Sequence, residues 1–449
     1  MKNRIKQYLL AASMCVGLTA CSDFFEPIPG VQFGLDETFA SKQRTEEYLN
    51  NVYSYVREVT DAIHPNTYGG IFTEASLDGA NRWNKTYAEW TNGSFNSASA
   101  QASEYFSKYY QAIAKASTFI QNVDKCTEAA ASTRGKWKSE ARALRAYYYF
   151  ELLRLYGPIP LIGEDPIPLD ASLEELIKER NSVDECVNFI ATELQSAIDS
   201  GDLLQRAGKA NLGRMDVATC MALKAKLYLY WASPLFNGNT DQASVKNKDG
   251  KQLFPQTEDN SKWAQARDAY ERFMTFATGQ GYKLTEVYTN GKLDPYASCR
   301  AAGEFFTTTW EAVDELIFVK LRDLYDYTYW VCPKFTDFQD TDVTGGGGYY
   351  TTQETVDLFF TKDGLTIEED PGYDKFEGVP GANNFTSGRY YDPNNPSRLY
   401  FDADKSKVLK QWKDREPRFY VNITYSGSIW LNEGKYNEEM RTDFTNGAN

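Results

Sequence analysis

The segment from Lys136 to Tyr156 constrains the fold of this chain more than any other. It reads KWKSEARALRAYYYFELLRLY, a run of helix-forming residues, and Gly157 and Pro158 follow it directly. Glycine commonly ends a helix, and proline cannot continue one. The pattern therefore predicts a long helix over about residues 136–156 that stops sharply at Gly157.

Other segments show the spacing of three and four residues that marks one face of a helix. Ser182 and Glu185 form a capping box, which predicts that another helix opens there. The predicted helices are 37–59, 105–120, 136–156, the one after Ser182 with Val187, Ile190, Leu194 and Ile198 facing inward, 215–231 with Ala218, Ala222, Ala225 and Leu229 on one face, and 263–276.

The composition of the helices and of the later chain predicts a mainly α fold. Small alanines that face large leucine and tyrosine side chains are typical of tetratricopeptide-like hairpins, although the strict repeat of about 34 residues is absent. Gly345–Gly348 is a four-glycine loop, and residues 363–404 are rich in glycine, proline, asparagine and aspartate. On pattern alone we therefore expect an array of α-hairpins, followed by a long irregular region with short strands at most.

One further strand is predicted near the end of the chain. Apolar residues alternate there, as they do in a half-buried strand, and Ser426 and Gly427 close the run. The alternating residues are Phe419, Val421, Ile423 and Tyr425.

The first twenty residues have the features of an export signal. Three basic residues precede the short, mostly apolar run Tyr8–Val16, which is too short to span a bilayer. The tetrapeptide Leu-Thr-Ala-Cys that ends at Cys21 matches the bacterial lipobox. We predict a lipoprotein signal peptide over residues 1–20 and lipidation of Cys21; the alternative is ordinary secretion with Cys21 incidental. No later stretch approaches about twenty apolar residues, so we expect the rest of the chain to lie outside the membrane.

Charge and reactive residues exclude several classes of function. The formal net charge is −14, and an acidic chain repels phosphate backbones, so no nucleic-acid partner is expected. His64 is the only histidine, which excludes two-histidine metalloprotease helices and three-histidine zinc sites. No Gly-x-Ser-x-Gly, Walker or Rossmann motif is present, so we expect no enzymatic activity. The cysteines after Cys21 are scattered, and we expect buried free thiols in helices, with one disulfide as the alternative.

Aromatic residues make up 15% of the chain, and a dense group of them lies in a polar loop between predicted helices. A sugar has apolar C–H faces and many hydroxyls, so a glycan site needs flat rings beside amide, carboxylate or guanidinium groups. The alternative is that Trp83 and Trp90 anchor the loop to the helices. The candidate ligand-binding residues here are Asp78, Asn81, Arg82, Trp83, Asn84, Tyr87 and Trp90.

A second aromatic candidate precedes the glycine loop. Tyr327, Tyr329 and Trp330 are predicted ligand contacts, and their alternation predicts a strand with Tyr327 and Tyr329 on one face. The alternative is a half-buried strand that packs against the core. A third cluster, Arg389–Asp392, lies in the predicted long loop and is either a ligand contact or solvated surface.

The remaining polar residues of this region carry weaker predictions. No cofactor is expected, although the oxygens of Asp370, Asp374 and Asp392 are candidates for a structural calcium site without EF-hand spacing. Arg415–Arg418 is expected to hold a turn in a charge network rather than contact a ligand.

Five segments, in order along the chain, resemble landmarks of the SusD/RagB family of nutrient-uptake outer-membrane lipoproteins. Together they run over essentially the whole chain. They are CSDFF from Cys21, EARALRAYYYFELLRLYGPIPLI from Glu140, LKAKLYLYWA from Leu223, FTKDGL from Phe360, and DREPRFY from Asp414, which continues into YSGSIW from Tyr425.

The resemblance implies a function and a location. It implies a mainly α, tetratricopeptide-like helical hairpin scaffold with a large irregular, loop-rich binding face and a few short strands. It also implies a lipid anchor that holds the protein on the outer membrane at the cell surface, and a SusC-type TonB-dependent transporter as partner. It also points to the loop after the first helix as a source of binding residues. The implied function is capture of a glycan and its delivery to the transporter for uptake. The alternatives are a RagB-like member that captures peptides, a secreted glycoside hydrolase, and a protein-interaction scaffold.

The same resemblance implies a division of the chain. Residues 1–20 form the signal peptide, 21–235 the SusD-like N-terminal helical region, and 236–449 the SusD/RagB C-terminal region. Family members normally continue into a final helical block, for which there is no counterpart before Asn449. We therefore expect the sequence to be truncated.

Overall fold

Helices account for most of the described chain up to residue 303. The structure is a computed structural model, and it describes residues 33–56, 76, 79–81, 89, 93–165, 167–168, 171–303, 314–320, 349–376, 378, 380–404, 406–431 and 439–441. No helix in these ranges has both the length and the apolar composition needed to cross a membrane. The helices are α1 (Leu35–Ala40), α2 (Lys42–Ser54), α3 (Ala100–Asn122), α4 (Ala131–Tyr156), α5 (Leu173–Leu176), α6 (Val183–Asp199), α7 (Val217–Ala232), α8 (Ser261–Gly279), α9 (Pro295–Gly303), α10 (Gln353–Asp357) and α11 (Pro417–Asn422).

The helices α3, α4, α6, α7 and α8 pack in chain order, each against the next. Their facing sides form a continuous apolar core in which Tyr109, Phe119, Leu144, Tyr148 and Ile190 are fully buried. Each helix covers the apolar face of its neighbour, as in other arrays of helical hairpins. The predicted mainly α scaffold of helical hairpins is therefore confirmed.

The long helix and the capping box predicted from the sequence are both present. α4 starts somewhat earlier than predicted, at Ala131, and stops at Gly157, whose φ of 67° is a value that favours glycine. At the start of α6, the Ser182 hydroxyl accepts from the Glu185 N–H (3.3 Å), and the Glu185 carboxylate accepts from the Ser182 N–H (2.7 Å). These two bonds satisfy backbone donors that a helix start leaves unpaired.

The prediction of a single helix over residues 37–59 is wrong. The described part of this segment forms two helices, α1 and α2, because Ser41 between them has an extended backbone (φ −98°, ψ 130°). The Ser41 carbonyl accepts from both the N–H and the hydroxyl of Thr45, which starts the second helix.

Of the residues predicted to share one face of α7, Ala218 and Ala225 are fully buried. Leu229 is exposed, whereas Leu227 on the other side of α7 is fully buried. α7 is covered on two opposite sides, because α6 packs on one and α8 on the other. Leu227 joins the main core, and Ala218 packs with Phe273 of α8 in a smaller cluster.

The described cysteines after Cys21 behave as predicted. Cys126, Cys186 and Cys220 are buried free thiols, and Cys299 is a half-buried one. Burial raises the pKa of the Cys186 thiol to about 12, so it stays protonated and unreactive.

The described strands are short and pair two by two in antiparallel fashion. From these strands, Tyr400, Phe401 and Val408 pack with residues of α9, α10 and α11 in a second core, in which the rings of Tyr400 and Tyr420 are stacked 3.9 Å apart. The pairs are β1 (Ala80–Asn81) with β4 (Tyr349–Tyr350), β2 (Tyr288–Thr289) with β3 (Lys292–Leu293), β5 (Phe385–Thr386) with β8 (Val408–Leu409), β6 (Arg389–Asp392) with β7 (Asn395–Asp402), and β9 (Ile429–Leu431) with β10 (Glu439–Arg441).

Residues 363–404 contain more regular structure than predicted. The strands β6 and β7 form a hairpin there, β7 is eight residues long, and Arg389–Asp392 is therefore a strand rather than part of a loop. The Asn394 N–H donates to the Asp392 carboxylate (2.8 Å) and closes the turn. The asparagine, aspartate and proline residues of this region supply turn chemistry between strands.

The strand predicted from Phe419 to Tyr425 is wrong. Residues Pro417–Asn422 form the helix α11 instead. Pro417 lies in the first turn, where its fixed φ suits a helix and its missing N–H has no cost. The apolar alternation therefore does not decide the local structure here.

The buried guanidinium of Arg145 joins three helices. Arg145 lies on α4 and is 1% exposed. Its Nε donates to Glu193 of α6 (2.9 Å), and its Nη1 donates to the Ser117 hydroxyl of α3 (3.1 Å). Glu193 also accepts from Arg142 (3.0 Å). Because a buried charge is costly unless it is paired, these bonds fix how α4 sits against α3 and α6.

We expect the substitution Glu193→Gln to destabilise the helical array strongly. It leaves the buried Arg145 without its counter-charge. Breaking a buried ion pair in this way usually lowers the free energy of unfolding by about 3–5 kcal/mol. The matched control is Glu271→Gln on α8, where Glu271 is exposed and 3.7 Å from Arg267, and where we expect a loss below about 1 kcal/mol. Denaturant unfolding followed by circular dichroism measures both; similar losses in the two variants would contradict the role given to Glu193.

Candidate functional site

Strands β1 and β4 bring two distant parts of the chain together. Asn81 lies opposite Tyr349 in the antiparallel pair. β1 runs directly into the segment that carries Trp83, and β4 follows the glycines Gly345–Gly348. The Tyr350 side chain is 55% exposed. The pair therefore joins the first predicted binding segment to the C-terminal region and adds an exposed tyrosine that the sequence reasoning missed.

Of the predicted ligand-binding residues, Asn81 lies among the described residues, as part of β1. Near it, the Glu89 carboxylate accepts from the Ser99 hydroxyl (2.5 Å), and the Glu89 carbonyl accepts from the Phe95 N–H (3.1 Å). These bonds attach the Glu89 end of the segment to the start of α3, and the ligand contacts themselves stay predictions. The residues that lie outside the described ranges are Cys21, Asp78, Arg82, Trp83, Asn84, Tyr87, Trp90, Tyr327, Tyr329 and Trp330.

A cavity of about 430 Å³ lies beside α10, which begins three residues after the end of β4. Its lining includes Gln353 and Asp357 of α10, together with Tyr373, Phe376 and Gln411. Small-molecule sites usually have volumes of about 300–1,000 Å³, apolar walls and a few polar groups. The sequence reasoning missed this cavity because its residues come from three separate segments, and no local pattern connects them.

Arg415 holds two walls of this cavity in place. The side chain is 2% exposed, and its Nη2 donates to the carbonyls of Val356 (2.6 Å) and Phe359 (2.7 Å) at the end of α10. Its Nη1 donates to the Tyr373 hydroxyl (2.5 Å). The last carbonyls of a helix have no hydrogen-bond donors within the helix, so the Arg415 guanidinium donates to them instead. Arg415 thus holds local structure as expected, but through backbone carbonyls and a phenol rather than through a charge network, and the absence of a ligand contact stays a prediction.

The Tyr373 hydroxyl is fully used by the protein. It donates to the Gln411 backbone carbonyl (2.9 Å) and accepts from Arg415. Burial raises the pKa of Tyr373, and the positive charge of Arg415 offsets part of this rise. The Tyr373 phenol is therefore neutral at physiological pH. Its aromatic ring, rather than its hydroxyl, is the part available for contacts in the cavity.

The third aromatic cluster makes structural contacts. Tyr390 stacks on Phe401, with ring centroids 5.2 Å apart. Asp392, one of the calcium candidates, accepts from Arg398 (2.7 Å), which also binds both carboxylate oxygens of Asp294. Arg398 holds the pKa of Asp294 well below its usual range. Over the described ranges, no group of three or more histidine, cysteine, aspartate and glutamate side chains is placed to hold a metal ion.

Two family models match the chain. The model described as "Starch-binding associating with outer membrane" matches residues 32–229, and the model described as "SusD family" matches residues 315–449. The chain belongs to the SusD/RagB family.

Individual relatives agree with this assignment. A SusD-like protein of Bacteroides ovatus is 27% identical over 175 residues, which is 37% of this chain and 30% of the relative. The solved structure of BT4246 is 23% identical and covers 90% of this chain and 68% of its own, with a TM-score of 0.72. A SusD-like protein from Bacteroides fragilis is 20% identical and covers 92% and 67%, with a TM-score of 0.63. The two structures show that the chain has the tetratricopeptide-like fold of SusD-like proteins.

The matched lengths differ between the comparisons. This chain spans 30% of the length of the curated relative from Bacteroides ovatus, and about two thirds of each of the two solved structures.

We expect Arg415→Lys to loosen the wall formed by α10. Lysine keeps the charge but cannot reach the two carbonyls and the Tyr373 hydroxyl together, and a lost hydrogen bond to a charged group costs about 1.5–3 kcal/mol. Amide hydrogen exchange should rise over residues 353–360 and around Tyr373. Arg418→Lys is the control, because Arg418 is exposed and pairs with Glu416 (2.7 Å). Unchanged exchange over residues 353–360 in the Arg415 variant would contradict this role.

Proposed function

We propose that this protein is a non-catalytic glycan-binding lipoprotein of the cell surface. The observation that carries the proposal is the pairing of β1 with β4, because it connects the segment of Trp83 to a C-terminal region rich in aromatic and amide side chains. The family model over residues 32–229 is described as starch-binding, which supports a carbohydrate ligand. Membership of the family supports binding without catalysis.

The proposed mechanism is adsorption on aromatic rings. Tryptophan and tyrosine rings stack on the C–H faces of sugars, and Asn81, Asn84 and Arg82 bond the hydroxyls. Each contact is weak, but several contacts along one glycan chain raise the avidity because the later ones are intramolecular. Trp83, Tyr327 and Trp330 are the proposed main platforms.

We propose further that the protein is anchored in the outer membrane by acyl chains on Cys21 and delivers its glycan to a SusC-type TonB-dependent transporter. The lipobox before Cys21 and the family description "associating with outer membrane" support the anchor. Each acyl methylene buried in the bilayer contributes about 0.8 kcal/mol, so several chains hold the protein firmly. The transporter is the partner that the family membership suggests.

We expect Trp83→Ala to lower glycan affinity at least about tenfold, as the loss of a tryptophan at the centre of a binding surface does. Migration of the purified full chain through native gels that contain starch, laminarin, xylan or mannan measures this as lost retardation. Trp263→Ala on α8 is the matched control, because Trp263 is 41% exposed on the helical array, and its retardation should equal that of the unmodified chain. Equal retardation of the Trp83 variant and the unmodified chain would remove Trp83 from the site.

The same measurements separate the alternatives. A peptide-capturing member would show no retardation in any polysaccharide but would bind peptides from a tryptic digest of casein. A secreted glycoside hydrolase would release new reducing ends from at least one of the polysaccharides. Either result would overturn the proposed function.

A further inference from the structure

The outer side of α8 carries apolar side chains that the helical array leaves exposed. α8 is the last helix of the packed series, and its buried residues, among them Phe273 and Ala277, pack against α7. On a neighbouring face, Trp263 is 41% exposed and Met274 is 57% exposed, with the half-buried Tyr270 between them. Their spacing of seven and four residues places all three in one line along the helix. The terminal helix of such an array is expected to be polar on its outer face, so this apolar line needs an explanation.

Two exposed charges of opposite sign lie along the same line. Arg267 is 65% exposed and Glu271 is 69% exposed, and the Arg267 Nε is 3.7 Å from the Glu271 carboxylate. The Arg267 Nε and Nη2 also donate to the carboxylate of Asp268 (3.0 and 2.7 Å), which orients the guanidinium. Because the line carries one cation and one anion as well as apolar groups, a complementary surface carries the same set in reverse order. The α8 stripe consists of Trp263, Arg267, Tyr270, Glu271 and Met274.

A second, antiparallel copy of α8 has this reverse order. A twofold axis through the midpoint between Arg267 and Tyr270 places Trp263 opposite Met274 of the partner subunit, where a sulfur–aromatic contact is favourable. The same axis places Arg267 beside Tyr270 of the partner subunit and Glu271 of the partner subunit, which present a ring and a carboxylate to the guanidinium. Each contact then occurs twice, as twofold symmetry requires.

We propose that the α8 stripe is an interface between two copies of this chain, which pair antiparallel through α8. One helix from each copy buries less than the total of about 1,200 Å² that stable interfaces need, so the dimer is weak, with a dissociation constant of about 0.1 mM. A lipid anchor would raise the effective concentration of the copies at a membrane, so that a weak contact is enough to pair them there. The pairing itself does not depend on the glycan or on the anchor.

Two charge reversals test the pairing. Arg267→Glu makes the charges of the stripe wholly acidic, and Glu271→Arg makes them wholly basic, so each variant repels a second copy of itself. We expect each reversal to raise the dissociation constant at least about tenfold. An equimolar mixture of the two variants should return to within about threefold of the unmodified chain, because an acidic stripe then faces a basic one.

Sedimentation velocity of the purified full chain, from about 5 μM to about 1 mM, measures these constants. Both substituted side chains are exposed, so the melting temperatures should stay unchanged and loss of the fold is not a source of the effect. The gel measurements of glycan binding use low micromolar concentrations, at which the chain is a monomer. The Trp263→Ala control is therefore unaffected there by the pairing.

The matched controls reverse an exposed ion pair elsewhere on the molecule. The carboxylate of Asp36 on α1 is 2.8 Å from the Lys125 Nζ, and the two side chains are 89% and 53% exposed. Asp36→Lys and Lys125→Glu change the net charge by the same amounts as the two stripe variants. Neither control, alone or in an equimolar mixture, should change the dissociation constant.

Three results would overturn the proposal. The first is an unmodified chain that stays monomeric up to about 1 mM. The second is self-association that both reversals leave unchanged, because a different surface would then pair. The third is a mixture that associates no better than the single variants, since it would exclude the antiparallel arrangement. None of these results bears on glycan binding, so the proposed function is tested separately by retardation in polysaccharide gels.

Discussion

The contact between Arg145 and Glu193 is the interaction on which the helical part of the molecule depends. A charged pair in an apolar core is stable only when its hydrogen bonds are satisfied, and here Ser117 and Arg142 complete them. Because these residues come from α3, α4 and α6, a shift of any one of the three helices would break a hydrogen bond of the buried ion pair. The surrounding apolar packing alone would tolerate many such shifts, so the polar contacts select one arrangement.

The C-terminal region is organised in the same way by two other arginines. Arg398 joins Asp294, just before α9, to Asp392 of the β6–β7 hairpin. Arg415 joins the end of α10 to Tyr373 and so shapes the cavity. Elements this short bury too little apolar surface to be stable on their own, so hydrogen-bonded guanidinium groups and stacked aromatic rings stabilise them.

The helical half of the fold could be predicted from local signals. The capping box at Ser182 and the glycine stop at Gly157 act within a few residues, so each could be interpreted without the rest of the molecule. Local patterns were less informative elsewhere. Ala218, Ala225 and Leu229 share one face of α7, yet Leu229 is exposed while the two alanines are buried, and the residues around Phe419 form a helix although their alternation is that of a strand.

The sequence by itself indicated the family and most of the helices, and it predicts an export signal and aromatic side chains for a glycan site. Those features rest on contacts between near neighbours in the chain or on short ordered motifs. Only the tertiary structure decided that Asn81 meets Tyr349 and that Gln353, Tyr373 and Gln411 surround one cavity. These contacts join residues that are far apart in sequence. Long-range pairing depends on the packing of the whole molecule rather than on any local pattern.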